Sequence, residues 1–357
     1  MRITILGMGA VGEACAHLLT GREVVSRLVL ANRNRRVADA VRMDLEQSRA
    51  WSTPLSATTA APWDERAVRD ADLIILTAGA RLKGAESRAD KATEVARVLQ
   101  GEPGKSIADT LAAHTSDEAI VLVVTNPVEA TVTWLQQRMA TSRRRVIGLG
   151  TTVETARFSR FLADTLNVDA GSVWTEIVGE HGPQIAPRDE QALRVRAAGL
   201  GAPSLDVARL LQRTRDAASV VRGLSEEVGR ARARRILEQL TGKLSLEPAA
   251  KDALMDALWP ALSPPATRFA VAAAVVAVVE AIASDRGRVL TVSGLPDPPL
   301  AECADVALAL PFVVGRAGLI RTAIEGNPSE FLRDVAASIS EQVDAMNAVG
   351  SDGARPS

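Results

Sequence analysis

Tyrosine is absent from this chain of 357 residues, and five phenylalanines and five tryptophans bring the aromatic share to only 3%. Alanine and arginine are used heavily, a pattern that follows genome composition. The arginine groups at 143–145 and 230–235 therefore read as solvated surface, and so by default does the group at 33–36. Cysteine is almost as scarce: Cys15 and Cys303 are the two in the chain, far apart and each in an apolar setting. That excludes a disulfide framework and a cysteine metal knuckle, and leaves two buried thiols expected in a reducing cytosol. Net charge is missing too, with 42 basic against 43 acidic residues. No general attraction to nucleic acid or to a membrane surface results, and a small neutral or anionic ligand is the better fit. Long hydrophobic runs are also lacking. The longest, Phe269 to Val279, is fenced by Arg268 and Glu280 and is too short to span a bilayer, so it reads as a buried helix. The first residues enter an apolar strand directly, without the pattern of a signal peptide, and the chain is expected in the cytoplasm.

What remains is material for a sizeable core, with hydrophobic residues at 47%. The length suits two domains or one large one. Residues Arg2 to Leu6 form a β-branched apolar run, followed by Gly7-Met8-Gly9-Ala10-Val11-Gly12 and a helical pattern through Cys15, Leu18 and Leu19. Strand, tight turn and helix in this order fit the dinucleotide fingerprint. Gly7 serves the turn, Gly9 the close approach of backbone to a pyrophosphate, and Gly12 helix-on-strand packing.

A second apolar run, Val24 to Ala31, ends at Asn32, twenty residues past Gly12. An NAD-type site expects a carboxylate there to accept from the ribose hydroxyls. Asparagine does not repel a 2′-phosphate, and Arg33, Arg35 and Arg36 could supply cations to one, so NADP(H) is the preferred cofactor and NAD(H) the other possibility.

Further parallel-type strands are read at Asp72 to Thr77, Ala119 to Thr125 and Arg145 to Leu149. The first runs into the loop Ala78-Gly79-Ala80, which opens a helix at about Ala89. The alternation predicts an α/β fold, with an N-terminal Rossmann doubly wound parallel sheet over 1–150 followed by an α+β substrate domain over 151–348. Residues 199–262 read as an extended helical segment without a chemical signature, and 349–357 as a disordered tail. After Gly150 a helix carries Glu154 and Arg157, three apart and so on one face. A β-type run from Ser172 to Val178 then leads to His181, set between two glycines in Gly179-Glu180-His181-Gly182. With three histidines in the whole chain, this imidazole is the natural candidate for proton transfer near neutrality.

Together these motifs resemble the lactate/malate dehydrogenase family (L-2-hydroxy-acid dehydrogenases). The resemblance rests on Gly7/Gly9/Gly12, Thr77-Ala78-Gly79-Ala80 with Glu86-Ser87-Arg88, Thr125-Asn126-Pro127-Val128, Ala156-Arg157-Phe158, Gly179-Glu180-His181-Gly182 and Val289-Leu290-Thr291-Val292-Ser293. It implies hydride transfer between a nicotinamide and a small 2-oxo or 2-hydroxy acid, without a metal, in a homodimer or homotetramer. By motif, His181 would donate the proton, Glu154 orient it, Arg88 polarise the substrate oxygen and Arg157 grip the carboxylate. Asn126 would bond substrate or cofactor, Ala78 and Gly79 would line the cofactor, and Leu82 and Thr267 the substrate's side-chain pocket.

The chain departs from the family where Glu154 stands in place of the usual Asp, where Leu82 replaces the Gln or Arg that separates lactate from malate enzymes, and where Pro183 comes after the His-Gly pair. Leu82 disfavours a second substrate carboxylate and makes a larger apolar substrate plausible. Two other readings stay open. A catalytically silent nicotinamide-nucleotide sensor or scaffold would keep the loop without turnover, and the related nucleotide-dependent glycosidases would need a Cys and His metal motif that neither cysteine supplies.

Overall fold

The computed structural model describes residues 1–50, 56–80, 87–166, 168–182, 184–188, 194–195, 268–324 and 328–351. Leu82, Pro183, Thr267, the segment 199–262 and the tail from 352 lie outside them. The chain forms two compact units, Met1–Gly150 together with Arg268–Ser357, and Thr151–Thr267.

The first unit is built on β1 (Arg2–Leu6), β2 (Arg27–Ala31), β3 (Ala57–Ala60), β4 (Leu73–Leu76), β5 (Ile120–Val123) and β6 (Val146–Gly148). They pair in parallel in the order β3-β2-β1-β4-β5-β6. This is the doubly wound dinucleotide order. All four residues of β4 and of β5 are buried, as in a parallel sheet covered on both faces. Each such Leu, Ile or Val removed from water contributes on the order of 1.5–3 kcal/mol. The helices between them are α1 (Ala10–Thr20), α2 (Arg35–Ser48), α3 (Glu65–Arg69), α4 (Arg88–Gln100), α5 (Ile107–His114) and α6 (Val128–Gln136); α2 to α5 start where side chains cap them, whereas α1 follows Gly9 and α6 follows Pro127. Asn34 accepts from Arg36 N at α2, and Ser87 with Asp90 closes a capping box at α4.

The expected strands recur, β1 with the expected bounds and β2, β4, β5 and β6 shorter at their ends, and β3 is an addition. Its sequence, Ala-Thr-Thr-Ala, is brief and weakly apolar because it lies at the sheet edge. The helix α4 opens at Arg88 itself.

The second unit ends at Thr267, and residues from 268 onward group with the first unit. Here α7 covers Thr152–Leu166 and belongs to the second unit, whereas α8 (Arg268–Ser284), apolar nearly all round, packs on α1. β11 (Arg288–Gly294) then extends the sheet antiparallel to β6, followed by β12 (Leu308–Gly315) and β13 (Gly318–Thr322). Buried polar bonds lock this extension to α6: Ser293 Oγ donates to Glu129 Oε1 at 2.7 Å, and Ala307 N donates to Thr133 Oγ1 at 2.9 Å. The last helix, α9 (Glu330–Ser351), packs on α4 and α6 and carries the chain helically through 349–351, where a disordered tail was expected. Cys15 and Cys303 are free and buried, and burial pushes the Cys15 thiol up to about 12. No described helix is long and apolar enough to cross a membrane.

The second unit contains α7, a 3₁₀ turn at Ala170–Ser172, and the strands β7 (Val173–Trp174), β8 (Ile177–Gly179), β9 (Ile185–Pro187) and β10 (Arg194–Val195). β8 and β9 form an antiparallel hairpin, and β10 pairs with β7. The run expected from Ser172 to Val178 is thus broken at Thr175 and Glu176, whose side chains are buried.

Candidate functional site

The glycine turn after β1 is held by close packing. Gly7 has φ +111°, and a Cβ there would lie 2.6 Å from Ala78 N; one on Gly12 would overlap the Gly7 carbonyl oxygen. A Cβ on Gly9 would meet nothing within 4 Å, so this glycine borders open space at the N-terminus of α1. Two hydroxyls tie the neighbouring loops to the turn. Thr77 Oγ1 donates to Gly7 O at 2.7 Å, and Thr125 Oγ1 donates to Ala78 O at 2.7 Å, which fixes Ala78 and Gly79 beside the glycines. A helix N-terminus, an open glycine and two latched loops make an anion cradle of the kind a pyrophosphate occupies.

At the end of β2, Asn32 uses both ends of its carboxamide on backbone. Its Oδ1 accepts from Met8 N at 3.2 Å, and its Nδ2 donates to Asn34 O at 3.0 Å. An aspartate could not make the second bond. Arg33, just before the Asn34 cap, and Arg35 and Arg36, on the first turn of α2, come next and are exposed, and none of their guanidinium groups has an ion-pair partner among the described residues. These three unpaired cations at the carboxyl edge of the sheet, with the buried Oδ1 of Asn126, which has no hydrogen-bond partner among the described residues, fit an anionic nucleotide that carries hydrogen-bond donors.

Arg88 stands on the first turn of α4. One turn on, Lys91 was not singled out from the sequence, since a lysine in a charged helix carries no signal. Burial, and then the neighbouring Arg88, push its ammonium below the usual lysine range. No carboxylate pairs with it among the described residues.

In the second unit the structure brings His181 and Glu154 together. His181 sits at the tip of the β8–β9 hairpin, which Glu180 N closes by donating to Gln184 O at 2.8 Å. The flanking Gly179 (φ +121°) and Gly182 (φ +148°) take backbone conformations that side chains rarely adopt. The Glu154 carboxylate, 1% exposed, faces the ring with both oxygens, 3.1 and 3.2 Å from Nδ1. The extra methylene relative to aspartate is therefore accommodated inside the unit. Burial alone would raise the Glu154 pKa, but the charge and hydrogen bond of His181, then the charge of Arg157, reverse this and hold it at about 2. A carboxylate at that position can only accept, so Nδ1 carries the proton. Arg157 lies on the same helical face, with Nη1 3.9 Å from Glu154 Oε1 and its side chain 12% exposed.

The described expected residues thus fall into two groups, each within one unit. Gly7, Gly9, Gly12, Asn32, Arg33, Arg35, Ala78, Gly79, Arg88 and Asn126 belong to the first, and Glu154, Arg157 and His181 to the second. Sequence reasoning also passed over Thr151, just before α7, and Thr155 and Ser159 on it, whose four-residue spacing was the available signal.

The strand order and glycine turn define a Rossmann dinucleotide-binding domain. Residues 1–148 match the model of the lactate/malate dehydrogenase NAD binding domain. L-lactate dehydrogenase from Acetivibrio thermocellus is 33% identical over 181 residues, covering 51% of this chain and 54% of that protein. L-lactate dehydrogenase 1 from Listeria monocytogenes is 35% identical over 185 residues, covering 51% and 55%. The chain thus spans about half the length of these curated relatives. A lactate dehydrogenase from a deep-sea metagenome library superposes with a TM-score of 0.69 at 20% identity, covering 97% of this chain and 98% of that one. The minor L-lactate dehydrogenase of Enterococcus mundtii gives 0.66 at 23%, covering 100% and 99%. At such identities the two structures speak to the fold alone.

Proposed function

We propose that this protein is a nicotinamide-nucleotide-dependent 2-hydroxy-acid dehydrogenase that reduces a 2-oxo acid in the cytoplasm, as a homodimer or homotetramer. The observation that carries this reading is the buried Glu154 carboxylate set against Nδ1 of His181. Bound nicotinamide would supply the hydride to the carbonyl carbon. His181 would deliver the proton from Nε2 to the carbonyl oxygen, and Glu154 would keep the ring oriented and stabilise its charged form. Arg88 would polarise that oxygen as it gains charge, and Arg157 would hold the substrate carboxylate with its planar fork. Asn126 would donate or accept at the substrate or the cofactor.

For the nucleotide, the open space at Gly9 would receive the pyrophosphate, beside Gly7, Gly12, Ala78 and Gly79. Arg33 and Arg35 would receive a 2′-phosphate, and Asn32 offers no carboxylate to oppose it, so NADP(H) is preferred over NAD(H). With Leu82 and Thr267 in the side-chain pocket, the substrate would carry a branched or aromatic group, which makes the protein a specialised reductase. The test is nucleotide oxidation with a panel of such 2-oxo acids, NADPH and NADH in parallel. Turnover favouring NADPH is expected. Nucleotide binding without turnover of any 2-oxo acid would overturn the enzymatic reading in favour of a sensor.

A further inference from the structure

Two hydroxyls at the start of α7, those of Thr151 and Thr155, point to a second tier of the machinery. Thr155 and Ser159 stand four residues apart on α7 and so share a helical face, and the carbonyl of Thr151, immediately before the helix, accepts from Thr155 N at 2.8 Å. All three meet the segment leading into His181. Thr151 Oγ1 donates to the Ile177 carbonyl, and Ile177 N donates to Thr155 Oγ1 at 3.1 Å. Thr175 Oγ1 donates to Thr155 O at 3.3 Å and lies 2.8 Å from Ser159 Oγ. Both backbone groups of Ile177, which is 0% exposed, are thus bonded to the two threonines that bracket Glu154 in sequence. Ile177 opens β8, four residues before His181.

The consequence is geometric. A helix rises about 1.5 Å per residue, so sliding α7 along β8 by a single residue would displace the Glu154 carboxylate by about that distance from its place against Nδ1, now at 3.1 and 3.2 Å, and lengthen or misalign the contact. Apolar contacts along a helix resist such a slide weakly, because they are not directional. A donor and an acceptor on one residue resist it strongly, because both bonds must break at once. We infer that Thr151 and Thr155 are positioning residues, a two-hydroxyl clamp on Ile177 that sets the register of Glu154 against His181. This rests on the proposed role of His181 as proton donor.

The test compares Thr155→Val, which keeps the shape and removes the acceptor, with Thr155→Ser, which restores it, in the full chain. The same pair is made at Thr151, and Ser159→Ala, one turn farther from Glu154, serves as a reference. For the valine variants kcat for 2-oxo-acid reduction is expected to fall about 10- to 100-fold, since misplacement by an ångström is costly to catalysis, with KM for the nucleotide unchanged. The serine variants are expected to recover most of the loss. The ¹⁵N signature of the His181 ring, one of three histidines, is expected to leave the Nδ1-protonated pattern in the valine variants and keep it in Ser159→Ala. Folded valine variants with unchanged kcat and ring signature would overturn the clamp, as would a loss that serine does not rescue. If the valine variants fail to fold, Thr155→Ala and Thr151→Ala are read by the same two measurements. A wild-type chain inactive on every 2-oxo acid would overturn the functional reading, and the ring signature would still decide the clamp.

Discussion

Replacing Glu154 by glutamine probes the coupling between carboxylate and imidazole through stability and through rate. The carboxyl titrates at about 2 in the fold against 4.5 ordinarily. At about 1.4 kcal/mol per pH unit, that difference corresponds to about 3 kcal/mol. The side chain is buried, so solvent screening takes little from this. A depressed carboxyl pKa means the stabilisation is fully present above about pH 4.5 and drains away as pH falls toward 2. Acidification from pH 5 to pH 3 is therefore expected to cost the wild type about 2 kcal/mol more than Glu154→Gln. Urea unfolding of both proteins across that range measures it. At neutral pH the glutamine can still accept from Nδ1 but carries no charge to stabilise the imidazolium, and kcat is expected to fall by roughly 10²–10⁴. Parallel stability curves between pH 5 and pH 3, or an unchanged kcat, would refute the coupling of Glu154 to His181.

Other expectations concern the first unit. Gly9→Ala should leave the melting temperature near that of the wild type, since its Cβ meets nothing, yet weaken nucleotide binding at least about tenfold by titration calorimetry. Gly12→Ala, whose Cβ would overlap Gly7 O, should lose about 1–3 kcal/mol of stability as an overpacked contact. Asn32→Asp combined with Arg35→Ser should lower the ratio of kcat/KM for NADPH over NADH about 10- to 100-fold, the scale of one or two charged hydrogen bonds; an unmoved ratio would count against a 2′-phosphate site. Burial, and then Arg88, lower the Lys91 pKa, so its charge opposes folding below that pKa and stability recovers as pH rises toward 10.5. Lys91→Met should therefore melt higher at pH 7 and lose the alkaline recovery, read by calorimetry at pH 7 and pH 10.

Much of the nucleotide unit was legible because its demands are local. A glycine is needed where a Cβ would strike backbone, as at Gly7 and Gly12, and those needs appear one residue at a time. Edge strand β3 was not legible, because Ala57–Ala60 buries little and so carries little apolar signal. The grouping of residues 268–351 with the first unit depends on pairings between distant residues, such as Ser293 with Glu129, which no window of sequence displays. In the second unit His181 and Glu154 were readable as residue types and as motif positions. The bonds to Ile177 that register them were not, since a threonine in a helix gives no hint that its hydroxyl serves another segment's backbone. Asn32 was read by what it lacks, a carboxylate. Its donation to Asn34 O is a use for the amide that only the folded turn reveals.

The most direct test of His181 as the proton donor of a 2-oxo-acid reductase is the steady-state rate of NADPH oxidation with a branched 2-oxo acid, wild type against His181→Ala. The wild type is expected to turn over and His181→Ala to lose essentially all of kcat while still binding NADPH. A wild-type rate retained in His181→Ala would contradict the account, and so would a wild type that oxidises neither NADPH nor NADH with any 2-oxo acid.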